Sequence, residues 1–163
     1  MDKVVTNGNV VNLRERGKSA IVSASLSKST MSDDSAKYKI VSSKPLEIKI
    51  NSTIDIFGKT YRVNNKPEWS KTAENAYSYD VTFEGVMYDL RKCMLFNADD
   101  TGFKYDSDFS LIGTIDVFLL CLKNNIKRLS PIWRIGTFEN KETKTINFSK
   151  DNCLSALQKI CQE

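Results

Sequence analysis

Tyr77-Ser78-Tyr79-Asp80-Val81-Thr82-Phe83-Glu84 is the stretch whose reading decides the fold. Large apolar or aromatic residues alternate with small or charged ones. A period of two puts Tyr77, Tyr79, Val81 and Phe83 on one face and Ser78, Asp80, Thr82 and Glu84 on the other. One face is dry and one wet, as in the wall of an antiparallel sheet or a small barrel. Gly85 interrupts the alternation where a bulge or bend is expected, and Val86–Leu90 follows. Upstream, two β-prone runs flank Gly58-Lys59 in Ile54–Val63, and Gly at the first central position predicts a mirror-image hairpin turn. Between them lies a polar excursion, Asn64–Asn75, carrying Pro67 and Trp69 among charges.

Trp69 is the residue this excursion singles out. A large aromatic in a polar loop often marks a contact surface, so Trp69 is a candidate partner contact. The alternative is a lid folded back over the barrel end.

Working outward towards the N-terminus, residues 1–12 predict a short strand split by the turn Asn7-Gly8-Asn9. Arg14–Lys18 is a charged, solvated connection; one glycine there cannot make a phosphate cradle. Ala20–Leu26 alternates loosely as a strand. Ser27–Ala36, rich in Ser, Thr and Asp, predicts a flexible loop. Tyr38–Val41 and Leu46–Ile50 predict two more strands, with Lys44-Pro45 between them.

Towards the C-terminus the texture changes. Asn97–Asp108 is a turn-rich link; its Asp99-Asp100-Thr101-Gly102 lacks the ligand spacing of a calcium loop and predicts a turn. Thr114 is a plausible N-cap for a helix with Asp116 in its first turn. Ile115, Phe118, Leu119, Leu122 and Ile126 form its apolar stripe. Lys123, Lys127 and Arg128 crowd its C-terminal end, as the dipole prefers, and Ser130-Pro131 stops it. Ile132–Gly136 and Thr143–Phe148 predict two strands joined by the polar turn Glu139–Glu142. Ser149 predicts the N-cap of a second helix, with Leu154, Leu157, Ile160 and Cys161 as its stripe. That stripe is still running at Glu163, which predicts a chain truncated from something longer.

The fold class is therefore α+β, mainly β: a small antiparallel β-barrel over residues 1–95, then a partial α/β lobe with two helices over 96–163. The 163 residues suffice for one core or two small ones. The 40% hydrophobic and 27% charged content is that of an ordinary globular protein, and a net charge of +4 does not by itself indicate nucleic acid. No sequence-specific nucleic-acid binding is expected. The longest apolar run, Val117–Leu122, is far below the ~20 residues of a membrane span, and the N-terminus has no export signal.

The sequence contains no histidine. That removes imidazole bases, Ser-His and Cys-His nucleophiles and most zinc sites. Ser25-Leu26-Ser27-Lys28 fits S-x-x-K, but the motif needs a helical turn and here falls in a strand-to-loop region. Cys93, Cys121, Cys153 and Cys161 lie beside apolar residues with no C-x-x-C pair and read as small core hydrophobes. No catalytic residue, cofactor or metal ligand is assigned, and the chain is expected not to be an enzyme.

Several segments in fixed order carry a family resemblance: Phe57–Tyr61, Lys66-Pro67, Tyr77–Leu90, Thr114–Leu122, Trp133–Gly136 and Phe148–Leu157. This order is similar to the N-terminal region of tail proteins in prophages of Bacteroides-type bacteria, and so resembles phage baseplate hub, or tail-associated, proteins. The resemblance covers roughly residues 18–163. It implies a homotrimeric ring capping the tail tube, built of small β-barrels with inserted α/β lobes. It also implies a distal tail or tail-tube protein and the tape-measure protein as partners, and residence in the virion after synthesis in the bacterial cytoplasm. The family's N-terminal region offers no catalytic residues to carry over. Two other readings stand beside it: the N-terminal part of a tail-associated endopeptidase or cell-wall hydrolase, and a small ligand-binding β-barrel.

Overall fold

The computed structural model describes residues 3–29, 32–99, 102–130, 133–139 and 142–162. The chain forms two compact units, Met1–Val86 and Met87–Glu163.

In the first unit the alternation of Tyr77–Glu84 does what its period requires. The strand carrying it runs Ala76–Glu84 (β8), with Tyr79, Val81 and Phe83 buried and Tyr77 half-buried on the same face. Seven other strands join it in one antiparallel sheet: β1 (Lys3–Thr6), β2 (Asn9–Asn12), β3 (Ser19–Ser29), β4 (Asp33–Ser42), β5 (Thr53–Ile56), β6 (Lys59–Arg62) and β7 (Glu68–Ala73). The order is β2-β1-β5-β6-β8-β4-β3, with β7 paired to β8 as a branch. β8 pairs with β4 along its length; its other edge is shared by β7 (Glu68↔Asp80 to Ala73↔Ala76) and β6 (Arg62↔Glu84). The sheet curls into a half-barrel around Val4, Leu13, Ile40, Ile54, Tyr61, Val63, Val81 and Phe83. Tyr38 meets Phe83 edge-on, ring centroids 5.6 Å apart. Among the described residues β2, β3 and β7 each have one strand neighbour, so the barrel is open.

Four local expectations need correction in this unit. The β5–β6 turn is centred on Phe57-Gly58, with Ile56 facing Lys59, so Gly58 takes the second central position rather than the first. Both central residues have positive φ (49° and 76°), the mirror-image turn that matches strand twist, at the cost of a left-handed phenylalanine. Ser27–Ala36 is not a loop. Its serines extend β3 and its aspartates open β4, in register from Ser27↔Ser35 to Ser29↔Asp33. Cross-strand bonding outweighs the turn propensity of Ser and Asp when the ladder is already seven pairs long.

The Asn64–Asn75 excursion contains β7, a polar strand held by β8 rather than by burial. Leu46–Ile50, expected as a strand, has no ladder partner and forms an irregular segment. It is tied down by Ser52, whose Oγ accepts from Lys49 N at 2.9 Å and meets Thr6 Oγ1 at 2.6 Å inside the core.

Gly85 ends β8. Its N–H donates to Asp34 O at 2.7 Å, and a Cβ there would come within 2.7 Å of Asp34 Cγ, so any side chain at this position forces the Asp34 carboxylate to move. The next residues, Val86–Lys92, turn into a 3₁₀ helix rather than continuing as strand. Leu90, Cys93 and Leu95, which the sequence reading set ahead of its residue-95 boundary, are buried in the second core.

The second unit adds β9 (Ala98–Asp99), β10 (Gly102–Phe103), β11 (Asp108–Gly113), α1 (Ile115–Ile126), β12 (Lys144–Ser149) and α2 (Cys153–Gln162). Asp99 faces Gly102 in the antiparallel β9–β10 pair; Asp100 and Thr101 of the predicted turn lie outside the described residues. α1 starts after Thr114 as expected, and Phe118, Leu122 and Ile126 of its stripe are buried beside Cys121 and Asn125. Lys127–Leu129 form a turn after it. The predicted Ile132–Gly136 strand is absent over its described residues, 133–136; β12 pairs instead with β11, a strand the sequence reading passed over. The Glu139–Glu142 turn falls partly outside the described residues.

Ser149 ends β12 and does not cap α2. Asn152 does: its Oδ1 accepts from Leu154 N and Ser155 N, both at 3.0 Å. The inner face of α2 is Cys153, Leu154, Ala156 and Ile160, and Cys161 is exposed rather than in the stripe.

Candidate docking surface

Trp69 sits on β7, across the ladder from Tyr79. Its ring leans on Tyr77 (centroids 6.3 Å apart, tilted 45°), yet 58% of the residue stays exposed. Around it Pro45, Leu46, Ile48, Pro67, Tyr77 and Tyr79 line a shallow depression of about 290 Å³. Tyr79 holds the depression's rim by accepting the Leu46 N–H on its hydroxyl at 2.8 Å. Trp69 is thus a half-docked aromatic on an edge strand, presented by β-sheet pairing rather than by a loop.

A second apolar surface lies where the half-barrel is open, and sequence reading missed it. Phe57, at the tip of the β5–β6 turn, is 87% exposed, and Leu26 on the edge strand β3 is 43% exposed. With Ala24, Ser25, Ala36, Tyr38 and Ile56 they line a groove of about 420 Å³. Register explains the composition: Ala24 pairs with Tyr38 and Leu26 with Ala36, so their side chains share the concave, core-forming face of the sheet. Near its sheet order's end that face runs out of strands to cover it. The signal in the sequence was Phe57 itself, an aromatic where a turn prefers Asn or Gly.

Lys28, two residues beyond Leu26 on the same face, faces Asp34 across the ladder. The influence of Lys59, as hydrogen-bonding neighbour and as like charge, holds the Lys28 amine below the usual lysine range, with Asp34 acting in the opposite sense. Asp34 is itself engaged by Tyr61, whose hydroxyl donates to Oδ1 at 2.8 Å. Burial, and then that bond, push the Tyr61 phenol up to about 12.

In the second unit Cys93, Cys121 and Cys153 are buried around Asn125. Cys93 Sγ donates to Asn125 O at 3.2 Å, and Arg128 Nη2 reaches Cys93 Sγ at 3.4 Å. Burial pushes the Cys153 thiol far up, and neighbouring Cys93 adds to it, so this thiol is a poor nucleophile. Among the described residues no group of three or more Cys, Asp or Glu is placed to hold a metal. The S-x-x-K match falls within β3, where Ser25 faces Lys37 and Lys28 faces Asp34 across the ladder. A hollow of about 640 Å³ between Lys3, Val5, Val10, Arg14 and Asp55 is on the outward face of β1, β2 and β5 and mixes charges of both signs.

No protein-family model matches the chain, and no curated protein does. Among solved structures, the prophage tail protein gp18 from Listeria monocytogenes is similar in fold, with a TM-score of 0.60 at 15% sequence identity. The similarity covers 98% of this chain and 45% of that one, so the chain spans less than half the length of the tail protein it matches.

Proposed function

We propose that the chain is a structural component of a phage tail: a baseplate hub, or tail-associated, protein that assembles by its sheet edges and carries no catalytic site. The observation that carries this reading is the fold likeness to a prophage tail protein over 98% of the chain. The open half-barrel supports it, because three strands with one neighbour each offer backbone hydrogen-bonding edges, which is what ring-building contacts require.

In its finer form the proposal is a hub-like first part over residues 1–95 and a partial lobe over 96–163 within a longer polypeptide. Three copies close a ring in a prophage tail of Bacteroides type, against a distal tail or tail-tube protein and around the tape-measure protein. The protein is made in the cytoplasm and resides in the virion. Trp69 is a partner-contact residue in this assembly.

The test is location. Antibodies raised against the chain are applied to particles released on prophage induction of the source bacterium, with mass spectrometry of the purified particles in parallel. Decoration of one tail end, with peptides from residues 1–163 in the particle, is the expected result. Purified particles that lack the chain would overturn the reading. A shed, soluble chain that cleaves peptidoglycan, with activity lost on one carboxylate substitution, would replace it with the hydrolase alternative.

A further inference from the structure

Cys93 and Cys153 face one another across a short piece of antiparallel backbone in the second unit. Cys93 follows the 3₁₀ helix, and Cys153 is the first residue of α2. Between them Met94 and Asn152 form an antiparallel bridge. The two hydrogen bonds that frame it run from Cys153 N to Cys93 O at 2.7 Å and from Leu95 N to Asp151 O at 2.9 Å. One step out from the bridge, the two cysteines are directly opposed. Residues opposed in this way send their side chains to one side, with Cα atoms about 5.5 Å apart, inside the ~4.4–6.8 Å that a disulfide spans. Both side chains enter the same core, Cys93 at 5% exposure and Cys153 at 0%. The exposed residue Arg128 brings Nη2 within 3.4 Å of Cys93 Sγ, so this sulfur lies under a side chain that borders solvent. Cys153 is sealed and its burial keeps the proton on sulfur. Cys93 is therefore the sulfur that a dissolved oxidant meets first. Cys121 belongs to the same core but comes from α1, its thiol donating to Phe96 O at 3.6 Å.

We propose that Cys93 and Cys153 are a redox pair that a peroxide closes to a disulfide, clamping the start of α2 to the segment after the 3₁₀ helix. The Cys93 sulfur attacks one peroxide oxygen: an S–O bond forms, the O–O bond breaks, and the released hydroxide leaves as water with the thiol proton. The Cys153 sulfur then attacks the Cys93 sulfur. The S–S bond forms, the S–O bond breaks, and the hydroxyl departs as water with the Cys153 proton. In all, two thiols lose two electrons and two protons, and hydrogen peroxide is reduced to two waters. Closure removes the Cys93 thiol that donates to Asn125 O, yet that carbonyl keeps Arg128 Nε as a donor at 3.1 Å. The loop closed by the bond holds β9 to β12 and α1, nearly the whole second unit, so it restricts the unfolded chain strongly. A reducing cytosol keeps such a pair open, and oxidising surroundings close it. The pair is defined by the second unit's own backbone and stands whether or not the chain belongs to a tail.

The experiment uses the full chain carrying Cys161→Ser, which removes the exposed thiol and with it cross-linking between molecules. The folded protein is treated with dilute hydrogen peroxide, and its intact mass and a non-reducing digest are measured. Expected are the loss of two hydrogens, one cross-linked peptide joining Cys93 to Cys153, and a Cys121 that still reacts with an alkylating agent once the protein is unfolded. The melting temperature rises by about 10 °C and dithiothreitol returns it to its starting value. Adding Cys121→Ala leaves the same bond forming. Adding Cys153→Ala stops the reaction at a Cys93 sulfenic acid, which dimedone traps; should that variant not fold, the digest of the parent decides alone. A cross-link through Cys121, oxidation of Cys93 with no disulfide, or closure only in urea would overturn the proposal. So would a melting temperature that the bond leaves unchanged or lowers.

Discussion

The carboxamide of Asn125 closes both hydrogen-bonding groups of the Phe96 backbone: Oδ1 accepts from Phe96 N at 2.9 Å and Nδ2 donates to Phe96 O at 2.8 Å. Asn125 is fully buried, and Arg128 Nη2 donates to the same Oδ1 at 2.9 Å while its guanidinium lies over the Phe96 ring. A helix side chain thereby does for an irregular segment what a neighbouring strand would do. Asn125→Leu leaves these peptide groups buried without partners and is expected to cost about 3 kcal/mol. The adjacent Asn124→Ala should stay within about 0.5 kcal/mol. Urea denaturation of both variants checks the contrast; equal midpoints would refute it.

A side chain on Gly85 would collide with the Asp34 carboxylate, which Tyr61 holds in place. Gly85→Ala is expected to destabilise the first unit by about 2 kcal/mol. Asp34→Ala also destabilises, because it removes the Tyr61 partner. Combined, the two should cost clearly less than their sum, since the second substitution removes the atoms the first collides with. A thermal-denaturation cycle over the four proteins measures this, and strict additivity would contradict the geometry.

The raised Tyr61 phenol makes stability fall in alkali. Its folded pKa, about 12, lies above the ordinary tyrosine value of 10.0, so the protonated form is favoured by folding. That contribution is complete below pH 10 and is lost as pH rises towards 12. Tyr61→Phe should flatten the stability profile over that window. The tyrosinate absorbance of the parent should show one late-titrating group that the variant lacks.

Phe57 is held at φ 49°, where an aromatic residue is strained. Phe57→Asn gives the turn the Asn-Gly pair it prefers and should raise stability by about 1 kcal/mol. Should the melting temperature fall, Phe57 makes an intramolecular contact of value. A rise would show that the left-handed phenylalanine is kept at the expense of the fold.

Asn152 caps α2 with two hydrogen bonds. Asn152→Ala should cost about 1 kcal/mol, whereas Ser149→Ala should have its main effect on the β12 end, where Ser149 Oγ donates to Asp108 Oδ1 at 2.6 Å. Amide exchange localised to α2 or to β11–β12 tells the two effects apart.

Local pattern carried far where one residue type per face settles the matter. The period-two alternation of β8, the Asn7-Gly8 turn (φ 47° and 82°) and the Thr114 start of α1 with its buried stripe are all legible from neighbours a few residues apart. The same local rules misread Ser27–Ala36 and Glu68–Ala73, whose polar residues say loop. These segments are strands because β4 and β8 offer them ladders. Leu46–Ile50 errs the other way, with strand-like residues and no edge to join.

The sequence by itself determined a β-rich first part, a second part with two helices and, through the missing histidine, the lack of imidazole chemistry. These depend on composition and on periods of 2 and 3.6, which are properties of the chain before it folds. Tertiary structure alone decided which strands pair, that the sheet stops short of closing, and that Phe57 and Leu26 line one groove. Pairing partners lie tens of residues apart, and their choice is fixed only when many weak backbone and side-chain contacts form together.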